Sequence, residues 1–243
     1  MNTQKIAIIT YSQSPLRTIM PYFDNDVLIF DEKFIDFNSL DVKELWLDTY
    51  IDLYNPRLIK HDYLYQFFAR IHGICDASSK IKKRFLRNFT YNTTDPDLYK
   101  VFSLYYSFVQ FFDHGYGISP IYIPDVLNKE YRYHPYHRLL QDDQVLQWNK
   151  NSLFRVIHFH DIITNLKNIS LDNQTIILQG IKINLVDMCA KINQVFGNKR
   201  HIFENAYDIF VDDNLDGQIL TEINYNLESI CIQQLQLYSS LQK

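Results

Sequence analysis

The chain has 243 residues, 47% hydrophobic and 21% charged, which is enough apolar chain for a folded core and excludes intrinsic disorder. A formal net charge of −4 excludes a globally basic nucleic-acid binder, so any contact with a polyanion has to come from a local patch. Three cysteines without a CxxC pair argue against a cysteine-built zinc site and a disulfide framework, and no apolar run reaches membrane-spanning length.

The N-terminus, MNTQKIAIITYS, is too short in apolar residues for a signal peptide, so a cytoplasmic protein is expected. Residues 5–10, KIAIIT, are a continuous apolar run of the kind a strand buried on both faces shows. The polar turn Tyr11-Ser12-Gln13-Ser14-Pro15, a short helix over 16–23 and a second strand over 27–30 follow. Strand, turn, helix, strand opens many nucleotide-binding α/β domains. Neither GxGxxG nor GxxxxGK[ST] occurs in the chain, however. Ser12 and Ser14 are candidates to hydrogen-bond a ligand at the carboxyl end of the first strand; the plainer alternative is a capping loop.

From Asp41 the apolar period becomes helical: Val42, Leu45, Trp46, Thr49, Tyr50, Leu53 and Tyr54, with an Asp-x-x-Glu cap and Pro56 at the far end. A second helix runs from Ile59 to Gly73. A basic helix is then expected, with Lys80, Lys82, Lys83, Arg84 and Arg87 available to nucleic-acid phosphates or simply solvated. Asp95-Pro96 starts the strongest helix, ended by His114-Gly115 and apolar on nearly all sides. Further on, a strand is expected at 173–180, a helix at 185–196, a strand at 207–211 and a long helix from 215 to 241. The fold class that follows is α/β: one domain over 1–243, with a strand-turn-helix opening, a helical insertion at about 41–113, a mixed sheet and a long C-terminal helix.

The stretch from His114 to Asp161 concentrates histidine, arginine, proline and glycine. It reads as strand, strand, helix, strand, with His-Pro-Tyr-His-Arg where the second strand becomes the helix HRLLQDDQVLQW. A helix start carrying His and Arg suits an anion, because its free N–H groups and dipole favour negative charge. Arg132, His134, Tyr136, His137 and Arg138 are therefore the candidate phosphate-binding set, with pairing to the protein's own acids as the alternative. His158 and His160, two apart on the expected strand LFRVIHFH, point to one face beside Asp161 and are candidate catalytic bases. They would serve as metal ligands only with a further donor from elsewhere. A divalent metal is thus admitted but not favoured. The acidic loop Asp212 to Gly217 begins like an EF-hand but has Ile223 at the twelfth position, which argues against calcium.

In the order Ser119-Pro120-Ile121-Tyr122-Ile123, Tyr131-x-x-His134-Pro135-Tyr136-His137-Arg138-Leu139, Phe154-Arg155-Val156-Ile157, the sequence resembles the core of ParB-like and sulfiredoxin-like domains over about 45 residues. That resemblance implies a phosphate held around Tyr136, His137 and Arg138. It does not extend to the family's glycine-bearing turn, its DNA-binding helices or a sulfiredoxin cysteine. The expected function is a nucleotide- or nucleotide-sugar-dependent transferase of glycosyltransferase type, acting on a nucleic-acid or other polyanionic acceptor. The alternative is a ParB-like nucleotide or nucleic-acid binding module without turnover. No membrane partner is expected.

Overall fold

The computed structural model describes residues 6–22, 26–29, 35–60, 62–127, 133–140, 144–167, 169, 174–197, 201–221 and 223–232. In chain order the first half contains β1 (Ile6–Thr10), a 3-10 helix η1 (Arg17–Tyr22), β2 (Asp26–Ile29) and β3 (Glu44–Asp48). Then come α1 (Arg57–Lys60), α2 (Tyr63–Ala77), β4 (Lys82–Asn88), β5 (Tyr91–Thr93), α3 (Pro96–Tyr116) and β6 (Ser119–Ile123). The second half contains α4 (Pro135–Leu139), β7 (Gln144–Trp148), β8 (Leu153–Val156), α5 (Phe159–Lys167), β9 (Ile176–Leu178) and β10 (Ile181–Asn184). α6 (Leu185–Phe196), β11 (His201–Tyr207), β12 (Ile209–Val211) and β13 (Gln218–Leu220) complete the chain.

The protein is α/β. Seven strands form one sheet in the order β13-β9-β6-β4-β3-β1-β2. All of its neighbours are parallel. Three two-stranded pairings lie apart from it, β10-β8 and β12-β5 antiparallel and β11-β7 parallel. The strand order reverses at β1: β2 leaves to one side, β3 and its successors to the other. That is the doubly wound, Rossmann-like arrangement, in which both sheet faces must be covered.

The packing follows from residue alternation along each strand. Ala7, Ile9, Leu45, Leu47 and Phe85 point to the face covered by α2 and α3, where Phe67, Phe68, Tyr105 and Phe112 meet them. Ile8, Trp46, Leu86 and Ile121 point to the other, under Leu16, Ile19 and Met20 of η1 and its approach and Ile162 and Leu166 of α5. Asp95 caps α3 through the Asp97 and Leu98 amides, and Gly117, at φ +62°, closes it in the left-handed region. α3 has one buried face, not an apolar surround: Tyr99 and Phe111 on its outer side are each 57% exposed.

Several expected elements differ, among them a strand before Pro135, where the described residues 133–134 are a turn. Residues 44–48 are a strand, because a central parallel strand is apolar on both sides and its run happens to satisfy helical spacing as well. Glu44 is therefore no helix cap. It is a buried acid that accepts from Trp46 Nε1 at 2.9 Å and pairs with Arg84 Nε at 3.2 Å and Lys82 Nζ at 2.9 Å. The basic helix over 80–87 is β4, and its charges are taken up inside the fold. Lys83 Nζ donates to the carbonyls of Ser78 and Ile81, and Arg87 pairs with Asp113 at 2.7 Å and stacks over Tyr122. The expected helix 137–148 stops at Leu139 and is followed by β7. The expected tail helix contains β13 and is helical from 227 to 232; 233–241 lies outside the described residues.

The stretch 41–113 is thus no helical excursion from the sheet: β3 and β4 lie within it, side by side at the middle.

Candidate functional site

In an open α/β sheet a ligand sits outside the carboxyl ends of the strands, where the order reverses. Here that place lies between the ends of β1 and β3, and a crevice of about 490 Å³ opens there. Its walls come from the turn after β1 (Tyr11, Gln13), the segment after β3 (Ile51, Asp52, Asn55, Arg57, Leu58), the start of α2 (Tyr63, Gln66) and Tyr133.

The segment after β3 is held by its own short polar side chains. Asp52 accepts from the Tyr54 amide at 3.2 Å and the Tyr133 amide at 2.9 Å, which draws 133–139 against the crevice. Asn55 Oδ1 accepts from the Arg57 amide at 3.0 Å, so the Asn55-Pro56 turn presents Arg57 at the rim. Arg57 is exposed, and among the described residues it is the one cation in the lining. Three tyrosine rings and the amides of Gln13, Asn55 and Gln66 make up most of the remaining surface. The combination offers stacking faces, neutral hydrogen-bonding groups, one positive anchor and one carboxylate, Asp52, which accepts from the Tyr54 and Tyr133 amides.

Beneath the crevice the turn after β1 closes on Asp48. Thr10 Oγ1 donates to Asp48 Oδ2 at 2.7 Å and the Tyr50 amide to Oδ1 at 3.0 Å. Ser14 bonds the same carboxyl. Burial pushes the Asp48 carboxyl up to about 7, with those hydrogen bonds pulling the other way. The Tyr11 hydroxyl donates to the Tyr50 carbonyl, and its ring packs edge-on against Phe67, so it spans the two strand ends.

None of the residues singled out in the sequence is among those lining this crevice; their chain neighbours Tyr11, Gln13 and Tyr133 are. Ser12 is exposed, whereas Ser14 is fully buried, its hydroxyl accepting from the Leu16 amide at 3.0 Å. Arg132 lies outside the described residues. His134 is buried, with Nε2 2.9 Å from Asp125 Oδ2 and Nδ1 accepting from the Tyr136 amide at 3.1 Å. Tyr136 and His137 are also buried; Arg138 is exposed, its guanidinium 5.3 Å from the Trp148 ring centre.

His158 and His160 do not share a strand face. β8 ends at Val156, and His158 Nδ1 accepts from the His160 amide at 3.2 Å where α5 begins. Burial, and less strongly His160, lowers the His158 pKa to about 4, and its ring stacks on Tyr225. Asp161 is buried, its carboxylate accepting from the Asn224 and Tyr225 amides. Of the basic residues, Lys80 is exposed; the other four are engaged as described for β4. In the acidic loop, Asp213 pairs with Arg155 at 2.8 Å and with Lys182. No group of three or more His, Cys, Asp or Glu side chains that could hold a metal occurs among the described residues. Cys75, Cys189 and Cys231 are buried and free.

No protein-family model and no curated protein matches the sequence. Among solved structures, the chain is similar to a UDP-glucuronic acid 4-epimerase from Bacillus cereus, solved with a UDP sugar and NAD (TM-score 0.61, 8% identity, covering 98% of this chain and 99% of that one). It is similar also to an L-threonine dehydrogenase from Phytophthora infestans (TM-score 0.59, 10% identity, 97% and 99%). A third is a GDP-L-fucose synthetase from Naegleria fowleri bound to NADP (TM-score 0.57, 8% identity, 100% and 98%). At these identities the likeness establishes the fold.

It also overturns the resemblance to ParB-like and sulfiredoxin-like domains. Of the residues behind that resemblance, Ser119–Ile123 is an interior strand of the seven-stranded sheet, Pro135–Leu139 is a short helix and Leu153–Val156 pairs with β10 apart from that sheet, in a fold matched over nearly the whole chain. The transferase reading falls with it, since these neighbours are an epimerase, a dehydrogenase and a synthetase. The nucleic-acid reading loses its basic helix to β4. No helix among the described residues is long and apolar enough to cross a membrane.

Proposed function

We propose that the chain binds a nucleotide or nucleotide sugar in the crevice between the ends of β1 and β3. The single observation behind this reading is the position of the crevice, at the reversal point of a doubly wound sheet, with one cation at its rim. Arg57 holds a phosphate, the rings of Tyr63 and Tyr133 receive the base or sugar faces, and Gln13 and Gln66 hydrogen-bond its edges. The reading agrees with neighbours solved with a UDP sugar and NAD or with NADP.

Calorimetric titration with UMP, UDP and UDP-glucose tests it. Saturable binding of at least one is expected, and Arg57→Ala weakens it about tenfold, about 1.4 kcal/mol. Absence of binding by a folded protein, or an Arg57→Ala variant that binds as tightly as the parent, refutes it.

A further inference from the structure

Two of the similar structures are solved with a nicotinamide dinucleotide, and a Rossmann-like sheet holds such a cofactor by its pyrophosphate, on glycines of the first turn and on the helix that follows. In this chain the same place is filled from within. We infer that the protein works without a nicotinamide dinucleotide, because the turn after β1 is a closed latch where the pyrophosphate would lie. This goes beyond the crevice reading and does not depend on it.

Three observations carry the inference. The first is donors. A pyrophosphate needs backbone N–H groups pointing outward, and four successive positions of this turn offer none. The Ser14 amide donates to the Tyr11 carbonyl, Pro15 has no N–H, the Leu16 amide donates to Ser14 Oγ and the Arg17 amide to the Ser14 carbonyl. The second is space. Glycine at these positions lets the backbone approach the phosphates, whereas here residues 11–16 are Tyr, Ser, Gln, Ser, Pro and Leu. Tyr11, Ser14 and Leu16 are buried, and the Tyr11 hydroxyl ties the turn to the Tyr50 carbonyl. The third is charge. The segment that follows is a six-residue 3-10 helix, too short to add a dipole, and Asp48 lies directly under the turn as a buried acid. Ionised, that acid repels a phosphate.

The test uses the full chain. NADH and NADPH are titrated by nucleotide fluorescence and NAD+ and NADP+ by calorimetry, with UDP in parallel; hydrogen exchange is followed over the turn with and without NAD+. No dinucleotide saturates with a Kd tighter than about 1 mM. The Ser14, Leu16 and Arg17 amides are protected in the free protein, and NAD+ leaves them unchanged. Saturable dinucleotide binding tighter than that, or fast exchange of those three amides in the free protein, overturns the inference. UDP binding without dinucleotide binding supports both this inference and the crevice reading. Silence of every ligand on a protein that melts cooperatively sinks the crevice reading alone.

Discussion

Asp48 shows how one buried group can set both a local shape and a pH response. Its carboxyl joins three elements by accepting from Thr10 and the Tyr50 amide and bonding Ser14, and burial lifts its pKa from 3.8 to about 7. The unfolded chain releases this proton more readily than the folded one. The contribution to stability is therefore whole below about pH 4, declines as pH rises, and is gone above about 7. His158 works the other way: with a folded pKa of about 4 against 6.5, its contribution is whole above about 6.5 and lost as pH falls towards 4. Asp48→Asn keeps an acceptor for the Tyr50 amide and removes the first effect. Urea melts of this variant should show stability rising steadily from pH 4 to 6.5, and a gain over the parent that is largest above pH 7. A parent and variant with parallel pH profiles would contradict the burial argument. Gly180 is a second position with a sharp demand: at φ +60°, a Cβ would lie 2.7 Å from Pro124 Cγ and 2.9 Å from the Val156 carbonyl oxygen. Gly180→Ala is expected to cost about 2 kcal/mol or more in the same melts.

At the scale of elements, β4 carries the main lesson about legibility. Its sequence, KKRFLRN, looks like a charged helix face because three kinds of partner are invisible in it: Glu44 on the neighbouring strand, Asp113 on α3 and the Gln174 carbonyl near β9. β3 was hidden for a different reason, since a strand buried on both sides has no period-two alternation to betray it. Elements fixed by local chemistry were readable: β1, the Asp95-capped start of α3, and α6. Arg84 is fully buried against a buried Glu44, so removing it takes away one of the two cations on that carboxylate and the donor to the Gln174 carbonyl. Arg84→Ala should cost about 3 kcal/mol in urea melts, while Arg84→Met with Glu44→Leu should recover much of that loss. Equal losses in the single and double variants would show that the pair is not what matters there.

Across the whole molecule, the site was less legible than the fold. The opening strand and the turn over 11–15 lie at the end of the sheet where the crevice opens, but the residues that line it, such as Arg57 and Gln66, become neighbours of that turn only once β3 lies beside β1. Histidines and arginines drew attention to 132–161, where the fold spends several of them on itself: His134 on Asp125, His158 on an amide and on Tyr225. The two central strands within 41–113 make a further prediction. Excising that stretch behind a short linker should abolish cooperative melting and near-ultraviolet dichroism. A folded remainder would restore the idea of a detachable insertion.

The chain's two tryptophans fall in different parts of this architecture: Trp46 at the centre of the seven-stranded sheet, its indole N–H on Glu44, and Trp148 in the β7-β11 pair beneath Arg138. They are two optical reporters placed by the fold itself. Replacing Trp148 with phenylalanine leaves an emission signal from the sheet alone, and replacing Trp46 leaves one from the smaller pair. Comparing the two denaturation traces would tell whether the molecule comes apart in one step or in two.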